Sequence, residues 1–430
     1  MTPSRATTAL TTLAALLTAT TSPTLLAADA TAPDTTPAQK SFPQQLISVT
    51  SPDYRAEIAG DTTVAFIAPG LAKVTASCWK QGGEWGSEAM LTPEPITLAA
   101  DGTGSVVFPA KDFPHGPMVI KLTGYLADGK KADYCYLELF NKIGVPWHIG
   151  LKDVPVPPQC AGMTQTYADD FTAMPKISQS STGAVYGPFK ADGGEYGDAA
   201  FGQQGSAHDP FYQTEDWLRI RTFSVPELVD KWKRKYVTGF LCSLHEDGKG
   251  FHTGGNHDQY FECRMTFGAA PGMWAAFWTL SANNYKSAPP APCDELDIIE
   301  SYAPWQDCYH TTRHEWSYQE HPETRENPGE KKPFPSPVQF AAKADLSQTF
   351  HTFGLMIAKD TTTYYCDNVP VFSHPTQTYS WKEGNDFMIN ASIQGGFFHQ
   401  PSLLGQKTDW NRYGGACDLW IDWVRVYERP

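Results

Sequence analysis

Short runs in which apolar and polar residues alternate recur along nearly the whole chain. Between residues 44 and 145 they read TTVAFIA, KVTASCWK, GSVVFPA, MVIKLTGYLA and YCYLELF, separated by Gly, Pro and Asp turns. A period of two, broken by turn formers at this spacing, predicts the strands of a small β-sandwich, read here as an immunoglobulin-like module. The pattern resumes between 160 and 430 in YFECRMTF, MWAAFWTL, ELDIIESY, HTFGLMIA, TTYYCDN, DFMINASI and LWIDWVRVY. With little helical periodicity and no strand–helix–strand alternation, these runs predict a large all-β, antiparallel jelly roll. Residues 146–159, which include DVPVPPQ, are rich in proline and predict an extended connector that few contacts cross.

The ends and the composition narrow the class. Residues 1–30 have an early Arg5, an apolar stretch and the small residues Ala28 and Ala30, the form of a secretory signal; residues 31–43 are a Thr/Pro/Ala linker. A secreted, periplasmic or extracellular protein without a membrane span is expected. Lys and Arg total 33 against 47 Asp and Glu, a net charge of -14, which argues against a nucleic-acid partner. Nine cysteines without a CxxC pair suit disulfides better than zinc, and Cys78–Cys135, Cys160–Cys417 and Cys293–Cys308 are the pairings expected. KWKRK at 231–235 reads as a solvated face, and residues 319–337 as a long exposed loop. Ten of the thirteen Trp lie beyond residue 160, and flat aromatic faces suit sugar rings as well as cores.

The stretch CDELDIIESY at 293–302 stands out, because four carboxylates interrupt a β-branched run. Alternation puts Glu295 and Asp297 on one face with Ile299, and drives Glu300 to the other face with Leu296 and Ile298. A β-bulge at Ile298-Ile299 restores the parity and returns Glu300 to the face of Glu295 and Asp297. The two glutamates then lie roughly 13 Å apart at their Cα atoms, at about 3.3 Å per step. Side chains leaning together can close that to the roughly 5 to 5.5 Å between carboxyl groups that a retaining glycosidase uses. Calcium binding, or the polar face of an edge strand, would use the same residue types.

The surrounding islands resolve the choice. ELDIIE resembles the active-site signature of glycoside hydrolase family 16, in the bulged ExDxxE form of laminarinases, agarases and carrageenases. YFECRMTF at 260–267, GMWAAFW at 272–278 and YHTTRHEW at 309–316 are similar to the family's stretches in the same order. So are FHTFGLMIAKDTTTYYCDNVPV at 350–371, the closing DLWIDWVRVY at 418–427 and the opening YADDF at 167–171. Gln259, Ala275, Cys263 and Cys366 depart from the usual residues, and none is a carboxylate.

The resemblance implies a concanavalin-A-like jelly roll over 160–430, with Glu295 as nucleophile, Glu300 as general acid/base and Asp297 as the neighbour that tunes the nucleophile. Trp274 and Trp278 would line the substrate cleft, and His314 would contact the acid/base or the sugar. No cofactor is required; a structural calcium at Asp422, known in some relatives, is the one metal it suggests. The expected activity is endo-hydrolysis of a β-linked polysaccharide by a monomer, with a β-1,3- or mixed-linkage glucan as substrate. An agarase- or carrageenase-type galactan hydrolase and a non-catalytic polysaccharide-binding protein are the alternatives.

Overall fold

The computed structural model describes residues 44–79, 88–191, 196–228, 234–283, 293–303, 308–315, 338–341, 345–393 and 410–429. The leader, the linker, most of the basic run and the 319–337 loop lie outside the described residues. Within them, no helix is long and apolar enough to cross a membrane.

The first module is a sandwich of a three-stranded sheet and a five-stranded sheet around one apolar core that includes Val64, Phe66, Phe108, Ile120 and Leu137. Alternation is plain in Thr62–Ile67, where Val64 and Phe66 turn inward and their neighbours outward. The second module is larger. A six-stranded sheet orders Phe240–Cys242, Asn385–Ile393, Met273–Ser281, Asp294–Tyr302, Cys308–Glu315 and Val338–Ala341. It packs on a ten-stranded sheet whose longest strand is Ala416–Arg429. The core between the two sheets takes Ala275, Phe277, Leu296, Phe387 and Ile389 from one, and Phe261, Met265, Leu355, Leu419 and Ile421 from the other. Nearly every pairing is antiparallel; Ala199–Phe201 beside Tyr236–Thr238 is a parallel exception.

Two expectations need correction. The nine cysteines are all buried and no disulfide joins any of them. Register explains why the expected pairs fail. Cys78 and Cys135 sit on strands separated by Gly116–Tyr125, opposite Ile120 and Leu122 of it. Cys308 lies near the Tyr302 end of the acidic strand while Cys293 precedes its other end. Cys160 packs with Tyr427, ten residues along the closing strand from Cys417.

The connector is also not a divide that few contacts cross. Arg55 of the first module donates to the carbonyls of Tyr413 (2.8 Å), Gly414 (2.8 Å) and Ala416 (3.0 Å) of the second. Buried ion pairs join Asp133 to Arg412 (2.7 Å) and Lys121 to Asp345 (2.9 Å). Trp147 of the connector stacks on Trp217 at 6.5 Å. Gly268 has no side chain because Glu138 enters there: a Cβ would meet Glu138 Oε1 at 2.1 Å and Cys417 Sγ at 2.3 Å.

Candidate active site

The acidic strand Asp294–Tyr302 occupies an interior position of the six-stranded sheet. Opposite Met273–Ser281, Phe277 pairs with Ile299 and Trp278 with Asp297, so Ile298 is the extra residue. The register slips at the same place opposite Cys308–Glu315, between the pairs Asp297–Thr312 and Glu300–His310. The bulge expected at Ile298-Ile299 is therefore present. Leu296, Ile298 and Ile299 all enter the core, and Glu295, Asp297 and Glu300 share the opposite face. That face rests on an apolar floor of Phe240, Ala276, Trp278, Leu280 and Met388.

The three carboxylates have unlike surroundings. Glu300 is buried and held at both oxygens. Oε1 accepts from Tyr302 Oη (2.6 Å) and Trp274 Nε1 (3.1 Å), and Oε2 accepts from Thr312 Oγ1 (2.7 Å). Burial pushes its pKa up, and these three donors pull the other way. Asp297 is buried too, and burial, then Glu300 and Glu295, push its pKa well above the ordinary carboxylate value. A site with one carboxyl biased to keep its proton beside another carboxylate is what glycosidic cleavage needs. His314, directly across from Glu295, places Nε2 3.5 Å from Asp297 and 3.7 Å from Glu295. It thus approaches the Glu295 end of the site, while His310, held neutral by burial with its pKa pushed down to about 4, lies across from Glu300.

The tryptophans divide. Trp274 is half-buried, stacks on Tyr302 at 5.7 Å and donates to Glu300, so it stands beside the carboxylates. Trp278 is buried, donates to Asn390 Oδ1 at 2.7 Å and packs against Phe240, which corrects its expected place as a cleft-lining surface: it is floor. The fourth acid of the stretch, Asp294, is structural. It accepts the backbone N–H groups of Tyr379 (2.8 Å) and Ser380 (2.9 Å), anchoring the short helix Thr378–Lys382. Asp422 accepts from His148 (2.6 Å) and from Arg264, so its carboxylate already serves two nitrogen donors and does not fit a calcium ion, which needs six or more oxygens.

Sequence reasoning missed Tyr302, Thr312 and Tyr196. Tyr302 and Thr312 could have been found, since each lies on the site face two residues from a singled-out residue. Tyr196, which packs edge-on to Trp274 at 5.1 Å and feels all three carboxylates, comes from a Gly-rich segment without a periodic signal.

No curated protein matches the chain. Among solved structures it is similar to a non-specific endo-β-1,3(4)-glucanase of family 16, at 18% identity and TM-score 0.46 over 62% of this chain and 95% of that one. It is also similar to laminarinase from Flavobacterium sp. UMI-01, at 17% identity and TM-score 0.44 over 61% and 100%. A third is the catalytic domain of an endo-1,3-β-glucanase from Thermotoga petrophila RKU-1, at 16% and 0.43 over 62% and 97%. Residues 244–424, which hold the bulged strand and all three carboxylates, match the model of glycosyl hydrolases family 16.

Proposed function

We propose that the protein is an exported, retaining endo-glycosidase of β-1,3- or mixed-linkage β-glucans. The observation that carries this is the bulge at Ile298, which turns Glu295, Asp297 and Glu300 to one face above an apolar floor. Glu295 attacks the anomeric carbon while Glu300 protonates the leaving oxygen. Water then cleaves the glycosyl-enzyme with Glu300 as base. Asp297, between them, retains its proton more readily than an ordinary aspartate and keeps the total charge on the strand low.

Three retained carboxylates, two of them buried at a cost in stability, favour an enzyme over a binding module.

The test is a screen of the purified protein against laminarin, lichenan, agarose, porphyran and carrageenans, followed by proton NMR of the first product. Release of the β-anomer from a β-glucan supports the reading. Initial α-anomer would remove Glu295 from its role, and activity confined to a galactan would replace the substrate.

A further inference from the structure

His314 stands at an unusual distance from its two acidic neighbours. Elsewhere in the protein a histidine beside a carboxylate closes to hydrogen-bond length: His148 to Asp422 and His257 to Glu428 at 2.6 Å, His351 to Asp367 at 2.8 Å. His314 Nε2 instead lies 3.7 Å from Glu295 Oε1 and 3.5 Å from Asp297 Oδ2, beyond hydrogen-bond reach of both. The three ligand atoms lie within 4.8 Å of one another. A tetrahedral ion with bonds of about 2.0 to 2.1 Å holds its ligands about 3.4 Å apart, and both His314 separations lie within a few tenths of an ångström of that spacing.

A second observation points to the same spot. Asp297 is 4% exposed, and its Oδ2, the atom nearest His314, has no hydrogen-bond partner. A buried carboxylate oxygen left this way is destabilising by about 1 to 3 kcal/mol, and a cation would satisfy it. The site is also reachable, because the side chains of His314 and Glu295 are 31% and 15% exposed.

From this geometry we propose that Glu295, Asp297 and His314 bind a borderline divalent transition-metal ion, Zn2+ or Cu2+, which inhibits the enzyme by occupying its nucleophile. The proposal rests on the reading of Glu295 as nucleophile for the inhibition, and on geometry alone for the binding. One imidazole and two carboxylates suit zinc or copper; calcium and magnesium want more oxygens than are gathered here. The fourth position faces the open side, where water or a sugar hydroxyl completes the shell. With its lone pairs on the metal, Glu295 cannot attack the anomeric carbon.

Calorimetry of the full-length protein with zinc chloride in a non-chelating buffer tests binding without reference to catalysis. One equivalent should bind, with affinity reduced at least tenfold in both His314→Gln and Asp297→Asn. His351→Gln should leave it unchanged, because His351, Cys366 and Asp367 form the other gathered cluster and its His–Asp hydrogen bond is already made. Zinc should inhibit hydrolysis competitively with oligosaccharide, reversed by EDTA. Absence of binding to the wild type, or binding lost in His351→Gln and kept in His314→Gln, overturns the site. Zinc bound as described by a protein that hydrolyses no glycan would leave the site standing and remove the glycosidase reading instead.

Discussion

Tyr302→Phe isolates one of the three donors that hold Glu300. The hydroxyl donates to Oε1 at 2.6 Å, while the ring, which the substitution keeps, stacks on Trp274 at 5.7 Å. A hydrogen bond to an ionised carboxylate contributes about 1.5 kcal/mol at the lower end of its range. At about 1.4 kcal/mol per pH unit, its loss raises the pKa of Glu300 by about one unit. The direction is set by chemistry: the phenol stabilises the anion, so removing it favours the acid. In the proposed mechanism Glu300 is protonated when the glycosidic bond breaks, so the alkaline limb of kcat/KM, which reports the free enzyme, should move up by about one pH unit. Initial rates on a soluble β-glucan across the acid and alkaline limbs measure this. A dinitrophenyl glycoside, whose leaving group needs no proton, should show no such shift. An alkaline limb that stays in place or moves down on the polysaccharide would refute the role given to Tyr302, and an equal shift on both substrates would refute the role given to Glu300.

Three further outcomes are expected. Glu300→Ala should lose on the order of 10² to 10⁴ in rate on the polysaccharide yet still form the glycosyl-enzyme from a dinitrophenyl glycoside, from which azide releases the β-glycosyl azide. Glu295→Ala should fail on both substrates, and azide should give the α-glycosyl azide; product configurations read by NMR exchange the roles if they are reversed. A chain beginning near residue 158 should be insoluble or much less stable in urea, because Arg412 and Asp345 lose their partners Asp133 and Lys121, and breaking one buried pair costs about 3 to 5 kcal/mol. A soluble truncation with unchanged midpoint would show that the first module is only a spacer.

The strands and the bulge were legible because burial enforces alternation. Leu296, Ile298 and Ile299 can all reach the core, and Glu300 can avoid it, only if one residue is extra, so the charge pattern of ELDIIE itself dictates the irregularity. The donors around Glu300 come from two neighbouring strands, and which hydroxyl meets which oxygen depends on a register that local sequence does not print. Trp278 could not be told from a cleft tryptophan because both kinds occupy the same face; only the packing of Phe240 and Tyr196 over it makes it floor. The module interface was illegible for a different reason. A proline-rich connector reports that its own backbone is extended, and says nothing of whether the surfaces it links are complementary. The signals of that complementarity, a glycine at 268 and ionisable groups at Arg55, Asp133, Glu138 and Arg412, are single residues without a period.

That interface carries its own pH dependence. Glu138 reaches from the first module to Cys417 and Gly268, with Arg55 3.6 Å away. Burial, and then the charge of Asp418, push its pKa from the ordinary 4.5 up to about 7. A carboxyl with a raised folded-state pKa stabilises the fold fully below its unfolded value, and that stability is lost as pH rises toward the folded value. Between pH 4.5 and 7 the folded chain holds a proton that the unfolded chain has released, so stability falls with rising pH. At about 1.4 kcal/mol per pH unit the swing is about 3 to 4 kcal/mol. Glu138→Gln keeps the shape and removes the titration, so its unfolding free energy in urea should drop less than that of the wild type between pH 5 and 8. Asp294, raised to about 7 mainly by burial, titrates with the same sign in both proteins and cancels in the comparison. A variant that loses as much stability as the wild type over this interval, or a wild type that loses less, would mean that Glu138 is ionised in the folded protein and that Arg55 and Arg221, not a proton, neutralise it.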